Sequence, residues 1–276
     1  MENDKSYRYP FLRLALIGYP IRHSQSPEIF RPYCPYDLIE TPTFEMGFEQ
    51  FLQGDYLAAN ITTPFKETAL AYADHADETA TLLQATNLLI KGPDGIRATN
   101  TDYSGVLQLL RQHLGNTQQG NVLIIGCGGA GKAATAAALT FASTTWKTGH
   151  IYLANRHPER AEVFIHRLKH SSLASSSPIS LENCSISLEA LPFSRIPDLW
   201  STLQCIILAL PTVDAQSAVA RMLQTADFSR KIVLEANYRN PLLAQKNIPQ
   251  YLGGRLWLQA QAQPLLELVL LHGRTV

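Results

Sequence analysis

The chain has 276 residues, 46% of them hydrophobic and 17% charged, with 23 basic and 23 acidic side chains. So even a balance leaves no electrostatic footprint for nucleic acid or an anionic membrane surface, and a small-molecule partner is expected. The length suffices for two domains, each with its own core and with a cleft between them. Cys34, Cys127, Cys184 and Cys205 are scattered, without a CxxC pair or a metal-ligand spacing, which fits a reduced cytoplasmic protein that holds no metal. The polar stretch Met1–Lys5, and the lack of any run of about eighteen apolar residues, argue against an export signal or a membrane span.

Leu12–Gly18 is apolar and ends in glycine, as a first strand does, and Tyr19–Pro27 follows as a polar loop. Ser26, Pro27 and Glu28 start a helix, with a hydroxyl at the N-cap, proline at N1 and an acid in the first turn. Local sequence leaves open whether Ser26 only caps or joins Ser24 in holding a ligand. Thr41–Phe44 reads as a second strand and Tyr56–Ala59 as a third. Pro64 suits the first turn of a helix that Lys66 and Glu67 open, which places Lys66 where a strand gives way to a helix. Ligands of open α/β sheets gather at the carboxyl ends of strands, so Lys66 is better placed for chemistry than a lysine on a helix flank. Leu88–Lys91 and Ile96–Thr99, joined by Gly92-Pro93-Asp94-Gly95, form a hairpin. Asn87 precedes one arm and Asn100-Thr101-Asp102 follows the other, so polar side chains collect at one end of it. Asp102 leads into an amphipathic helix from Tyr103 to Leu114, as its N-cap or as part of a site.

Asn121–Ala134 combines a buried strand, a glycine turn and an alanine-rich helix, the context in which a GxGGAG pattern predicts dinucleotide binding. Gly126 permits the tight turn, Gly128 lets backbone amides approach a pyrophosphate, and Gly131, with Ala130, allows close packing on the sheet. After a polar loop inserted over Ser143–Gly149, the strand His150–Ala154 ends in Asn155-Arg156-His157. No acid stands there for a free 2′-hydroxyl. Arg156 offers a fixed charged fork to a 2′-phosphate, so NADP is preferred to NAD, unless the arginine merely opens the solvated helix Pro158–Lys169. His166 and His170 lie four apart on that helix without a third ligand, and read as a solvated face. Ser171–Pro178 is a serine-rich loop. Strands at Ser185–Leu188, Cys205–Leu210 and Lys231–Ala236 complete a doubly wound pattern, and an apolar helix, Leu258–Leu271, is expected to return to the first lobe.

Taken together these motifs resemble, in order and over nearly the whole chain, those of the shikimate dehydrogenase family. Gly18–Pro27 is similar to its GxPIxHSxSP loop, which implies that Ser24 and Ser26 hold the substrate carboxylate. Asn60–Glu67 is similar to NVTxPFKE, implying a catalytic Lys66 and substrate contacts from Asn60 and Thr62. Ala85-Thr86-Asn87 and Asn100-Thr101-Asp102 resemble the VNT and NTD elements, so that Asn87 and Asp102 meet ring hydroxyls, with Asp102 orienting Lys66. Gly126, Gly128, Gly129 and Ala130 fit the family's cofactor loop, Asn155 and Arg156 its NRT element, Gln261-Ala262 its QA pair and Tyr238 its VYxP tyrosine. The departures are Phe30 and Arg31 for a histidine and an asparagine, His157 for the threonine of NRT, a Leu208–Thr212 loop lacking asparagine and glycine, and a compressed Glu235–Pro241 segment.

The resemblance implies an α/β protein of two domains. Residues 1–102 plus 240–276 would form a substrate-binding catalytic domain with a mainly parallel sheet, and residues 103–239 a Rossmann-type doubly wound NADP(H)-binding domain. It implies NADP-dependent, reversible reduction of 3-dehydroshikimate to shikimate, a step of chorismate and aromatic amino acid biosynthesis, by a monomer or homodimer. The alternatives are a quinate or dual quinate/shikimate dehydrogenase using NAD, and an inactive shikimate-binding regulatory protein.

Overall fold

The structure is a computed structural model that describes residues 7–115, 117–170, 185–210, 214 and 216–272. Met1–Lys5, Ser171–Pro178, Cys184 and Pro211-Thr212 therefore lie outside the described residues. The chain divides into two units, Met1–Thr101 with Gln261–Val276, and Asp102–Ala260.

The first unit is built on a six-stranded sheet of β1 (Leu14–Gly18), β2 (Tyr36–Glu40), β3 (Ala58–Ile61), β4 (His75–Ala76), β5 (Leu88–Gly92) and β6 (Gly95–Thr99), in the order β2-β1-β3-β5-β6-β4. The pairs β1–β2, β1–β3 and β4–β6 are parallel, whereas β5 runs antiparallel to both β3 and β6. Alternation along each strand sends side chains to opposite faces. Thus Ala15, Ile17, Ala59, Ile61 and Leu89 share one core cluster, and Leu14, Ala58, Leu88 and Ile90 share another. The first face is covered by α2 (Phe44–Gln53), through Phe44, Phe48 and Phe51 at helical spacing. Short helices α1 (Ser26–Phe30) and α3 (Glu78–Leu83) complete the connections.

The second unit begins with α4 (Thr101–His113), whose first residue belongs to the first unit. Strands β7 (Gln119–Ile125), β8 (Thr148–Asn155), β9 (Ser185–Pro192), β10 (Cys205–Leu208), β11 (Ile232–Glu235) and β12 (Gln250–Leu252) form its sheet. All are parallel, in the order β12-β11-β10-β7-β8-β9, which is the doubly wound order with its switch point between β7 and β10. Val122 to Ile125 are all fully buried, as a central strand covered on both faces requires. Among the described residues the crossovers contain α5 (Gly129–Thr145), α6 (Pro158–His170), α7 (Ile196–Leu199) and α8 (Ala218–Thr225), and α9 (Gly254–His272) follows β12. In the first unit, Ala262, Leu265, Leu266 and Val269 of α9 pack in the cluster of Leu12, Leu14 and Phe30. Each of the larger of these side chains contributes about 1.5–3 kcal/mol by burial.

Several expectations from sequence are corrected. Thr41–Phe44 is not a strand: Thr43 is the N-cap of α2, and the strand is the preceding Tyr36–Glu40, whose acids hid it. Ser26 is not the N-cap of α1; Gln25 holds that place without a side-chain bond. No α-helix opens at Pro64, where turns lead into a 3₁₀-helix over Thr68–Tyr72. Asp102 sits in the first turn of α4, one residue inside the helix. Ser143–Gly149 is no inserted loop, because the Ser143 and Thr144 hydroxyls donate back to the carbonyl of Thr140 and so continue α5 to Thr145. β12 extends the second sheet, and the second unit runs to Ala260.

Candidate functional site

In the first unit, strand directions bring sequence-distant polar residues to one edge of the sheet. The carboxyl ends of β1, β3 and β6 and the amino end of the antiparallel β5 lie together there, so the Tyr19–Pro27 loop, Thr62–Lys66, Asn87 and Asn100-Thr101 share that edge. The loops after β1 and β3 are joined closely. Tyr19 N–H donates to the Thr63 carbonyl at 3.1 Å, and a side chain at Gly18 would overlap Thr62 and lie 2.7 Å from Ile21 Cγ2. Tyr19-Pro20 and Thr63-Pro64 are cis. Thr62 N–H donates to the Ile17 carbonyl and Thr86 N–H to the Lys66 carbonyl, at 3.0 and 2.8 Å, so the backbone beneath Lys66 is fixed from both sides.

Asn87, 2% exposed, is the hub. Its Nδ2 donates to Thr101 Oγ1 at 3.0 Å and to Gln261 Oε1 at 2.8 Å, while its Oδ1 accepts from Thr101 N–H at 2.7 Å. Its carbonyl accepts from Ile61 N–H at 2.9 Å and from Asn60 Nδ2 at 3.2 Å. Thus Asn60, Asn87 and Gln261 from the expected substrate set are joined in one network. Thr101 belongs to it although its chain position gave it no separate role. Buried amides held on several sides keep one orientation, which is what recognition of hydroxyls needs.

Ser24 and Ser26 are brought together, the Ser24 hydroxyl donating to Ser26 Oγ at 3.2 Å and Ser26 N–H donating to Ser24 Oγ at 3.2 Å. The Ser26 hydroxyl is not spent on a helix cap. Their loop is pinned by Glu40 at the end of β2, whose carboxylate accepts from Ile21 N–H at 2.7 Å, Arg22 N–H at 3.0 Å and Arg22 Nε at 2.9 Å. The Ile21 N–H, foremost, holds the Glu40 carboxyl below its ordinary value of 4.5. A depressed carboxyl contributes stability above its unfolded pKa and loses it as pH falls through the folded value. Glu40→Gln is therefore expected to lower the urea midpoint near neutrality. The difference from wild type should begin to shrink as pH falls into the range of an unperturbed glutamate and vanish only below the depressed folded value, as denaturation series across pH will show.

In the second unit the glycine turn lies at the carboxyl end of β7, and Gly126, Gly128 and Gly131 differ in what they permit. Gly126 has φ +110°, a region that disfavours a side chain, and its N–H donates to the Ala154 carbonyl at 2.8 Å. Gly128, the N-cap of α5, has open space around the place of a side chain. Gly131 has none, since a Cβ there would overlap the Gly126 carbonyl oxygen and lie 2.7 Å from its carbon. Gly129 and Ala130 begin the 17-residue α5, whose first turn has backbone N–H groups without intrahelical partners. Asn155 ends β8 and donates to the His157 carbonyl at 3.0 Å, and Arg156 beside it is exposed. These residues fit a dinucleotide phosphate: room at Gly128, a helix start and an adjacent guanidinium. Asp102, 3% exposed, opens the second unit.

Tyr238 lies past the carboxyl end of β11, in a segment folded back by Glu235. That buried carboxylate accepts from Leu242 N–H at 2.5 Å, Leu243 N–H at 3.1 Å and the Tyr251 hydroxyl at 2.7 Å. Burial, with this carboxylate, pushes the Tyr251 hydroxyl pKa up. Asn237 Oδ1 accepts from Arg239 and Asn240 N–H at 3.0 and 3.2 Å, which accounts for the compressed segment as a turn. On α6 the His166 and His170 rings stack at 4.1 Å on an exposed face.

A concavity of about 810 Å³ opens at the opposite, amino-terminal edge of the second sheet, between Gln119–Asn121, Thr148–His150 and Ser185–Ser187. Several of its polar groups are spent on one another. Asn121 Oδ1 accepts from His150 N–H at 3.1 Å, Asn121 Nδ2 donates to the Thr202 carbonyl at 3.2 Å, and His150 and Ser187 are hydrogen-bonded. The expected site residues lie instead at the carboxyl ends of the strands.

Residues 16–89 match the model of the shikimate dehydrogenase substrate binding domain. A shikimate dehydrogenase (NADP(+)) of Acidiphilium cryptum (strain JF-5) is 37% identical over 160 residues, 54% of this chain and 55% of that protein. The chain spans about half the length of the curated relatives it matches. The crystal structure of Mycobacterium tuberculosis shikimate dehydrogenase superposes with a TM-score of 0.69 at 23% identity, covering 93% of this chain and 92% of that one. A quinate dehydrogenase from Corynebacterium glutamicum in complex with NAD superposes with a TM-score of 0.68 at 20% identity, covering 94% and 93%. The chain is thus similar in sequence to shikimate dehydrogenases and shares their two-domain fold, a fold common to both substrates and both cofactors.

Proposed function

We propose that the chain catalyses the NADP-dependent, reversible reduction of 3-dehydroshikimate to shikimate. The observation that carries this reading is the meeting of Ser24, Ser26, Asn60, Thr62, Lys66 and Asn87 at one sheet edge, within or beside the stretch that matches a shikimate dehydrogenase substrate binding domain. In this reading the serine pair and its backbone hold the carboxylate, and the Asn60, Asn87 and Gln261 amides hold ring hydroxyls. Lys66 stands at the oxygen that changes between carbonyl and alcohol, gives it a proton on reduction and takes one back on oxidation. An ammonium at that oxygen also stabilises the negative charge that develops there. Asp102 accepts a hydroxyl hydrogen bond, and Tyr238 contacts substrate.

The second unit supplies the cofactor site. Gly126, Gly128, Gly129 and Ala130 admit the pyrophosphate to the start of α5, and Asn155 and Arg156 take the adenosine end, with the guanidinium on a 2′-phosphate. When bound, NADPH supplies the hydride. The relative named for NADP(+) supports this cofactor, as does the lack of an acid at the end of β8.

The test is oxidation of NADPH by the purified chain with 3-dehydroshikimate, run in parallel with NADH, and in reverse with shikimate and quinate. Turnover with the shikimate pair and NADP(H) well above the other combinations supports the reading. Quinate with NAD as the faster pair would replace it with a quinate dehydrogenase, and tight shikimate binding without turnover would make the chain a binding protein.

A further inference from the structure

We propose that Tyr36 is a positioning residue that fixes the Asn60 amide for substrate, an inference that rests on the dehydrogenase reading above. Asn60 lies near the carboxyl end of β3, paired with Leu16 of β1 and Leu88 of β5. One side of its amide faces the Asn87 carbonyl, at 3.2 Å from Nδ2. A backbone carbonyl only accepts, so that contact identifies the nitrogen, and Oδ1 must be the atom facing the Tyr36 hydroxyl. The tyrosine therefore donates, at 2.8 Å.

Among the described residues these two bonds are the hydrogen bonds of the Asn60 side chain. They leave it one N–H and one lone pair on Oδ1, a donor and an acceptor, which suits a substrate hydroxyl. Tyr36 is itself held. Its ring stacks on that of Phe30, with centroids 4.8 Å apart and planes 4° from parallel, and Phe30 is buried. As the first residue of β2, Tyr36 pairs with Leu14 of β1. Phe30 is one of the departures from the related family's pattern, which has histidine there, and in this chain it serves as the platform for the tyrosine. The arrangement thus runs from the helix after the serine loop, through an aromatic stack, to an amide two strands away.

Tyr36 acts through Asn60 and not on the reacting atoms, so its hydroxyl governs affinity and leaves turnover nearly untouched. Removing it strips one hydrogen bond from Oδ1 and lets water compete for the amide. Shikimate binding by calorimetry and steady-state kinetics should be measured on the full chain for wild type, Tyr36→Phe, Asn60→Ala and the double variant. Tyr36→Phe is expected to weaken shikimate about five- to tenfold, the worth of one hydrogen bond, and to raise KM with kcat held within about twofold. Its thermal midpoint should hold, since the stack on Phe30 remains, and NADPH affinity should not move. If Tyr36 works through Asn60, the double variant binds no more weakly than Asn60→Ala alone.

Unchanged shikimate affinity in Tyr36→Phe, or losses that simply add in the double variant, would overturn the positioning role and leave the enzyme reading standing. A wild-type chain that neither binds shikimate nor reduces 3-dehydroshikimate would overturn the enzyme reading, and this inference with it.

Discussion

Replacement of Lys66 by alanine is expected to lower turnover about 10²- to 10⁴-fold, the range that general acid catalysis supplies, while shikimate affinity changes far less. The separation follows from where binding and chemistry are placed. Affinity comes from the serine loop and the Asn60, Asn87 and Gln261 amides, none of which depends on the lysine for its bonds to the others. Lys66 contributes where charge develops on the reacting oxygen, an interaction stronger in the transition state than in the ground state. The fold should tolerate the change. Phe65 and Ala69, which anchor the loop in the core, are untouched, and the bond from Thr86 N–H to the Lys66 carbonyl belongs to the backbone. Single-turnover rates set against calorimetric affinities for wild type and Lys66→Ala will read the split. Unchanged turnover would remove Lys66 from the chemistry.

Gly131→Ala is expected to cost about 1–3 kcal/mol through overpacking, and to weaken NADPH binding with it. The new methyl would overlap the Gly126 carbonyl oxygen, an atom of the backbone that no side-chain rotation can move aside. The start of α5 must then lift off the sheet, and the N–H groups offered to the pyrophosphate move with it. Gly128→Ala is the contrasting variant. Its φ of −84° suits any residue and its methyl meets only open space, so the fold should keep its thermal midpoint while NADPH weakens, because the space filled is that left for the phosphates. Thermal midpoints together with NADPH fluorescence titrations separate the two: Gly131→Ala loses both stability and binding, Gly128→Ala binding alone. If Gly128→Ala bound NADPH as tightly as wild type, the phosphates would not lie against Gly128.

The glycine turn was legible because each requirement is local: strand, turn and helix follow within a few residues, and a positive φ at Gly126 selects its residue type directly. The hairpin Leu88–Thr99 was legible for the same reason. Local signals also misled. The polar run Ser143 to Thr145 read as a loop because sequence does not show that serine and threonine hydroxyls can return to carbonyls of their own helix. Thr41–Phe44 looked more strand-like than Tyr36–Glu40, whose two acids are held by partners far away along the chain, Asp37 by Arg13 and Glu40 by the Ile21–Arg22 backbone.

The glycine turn, the Leu88–Thr99 hairpin and the residue types suited to substrate and cofactor were set out in the sequence itself, because each is written in short-range spacing or in a motif of neighbouring residues. What the tertiary structure alone decided is which of them meet: Asn87 with Gln261 across 174 positions, and Tyr36 with Asn60 across 24. Strand order and register make those meetings. Both are settled by long-range pairing and by the burial of whole faces, which no local stretch of chain encodes.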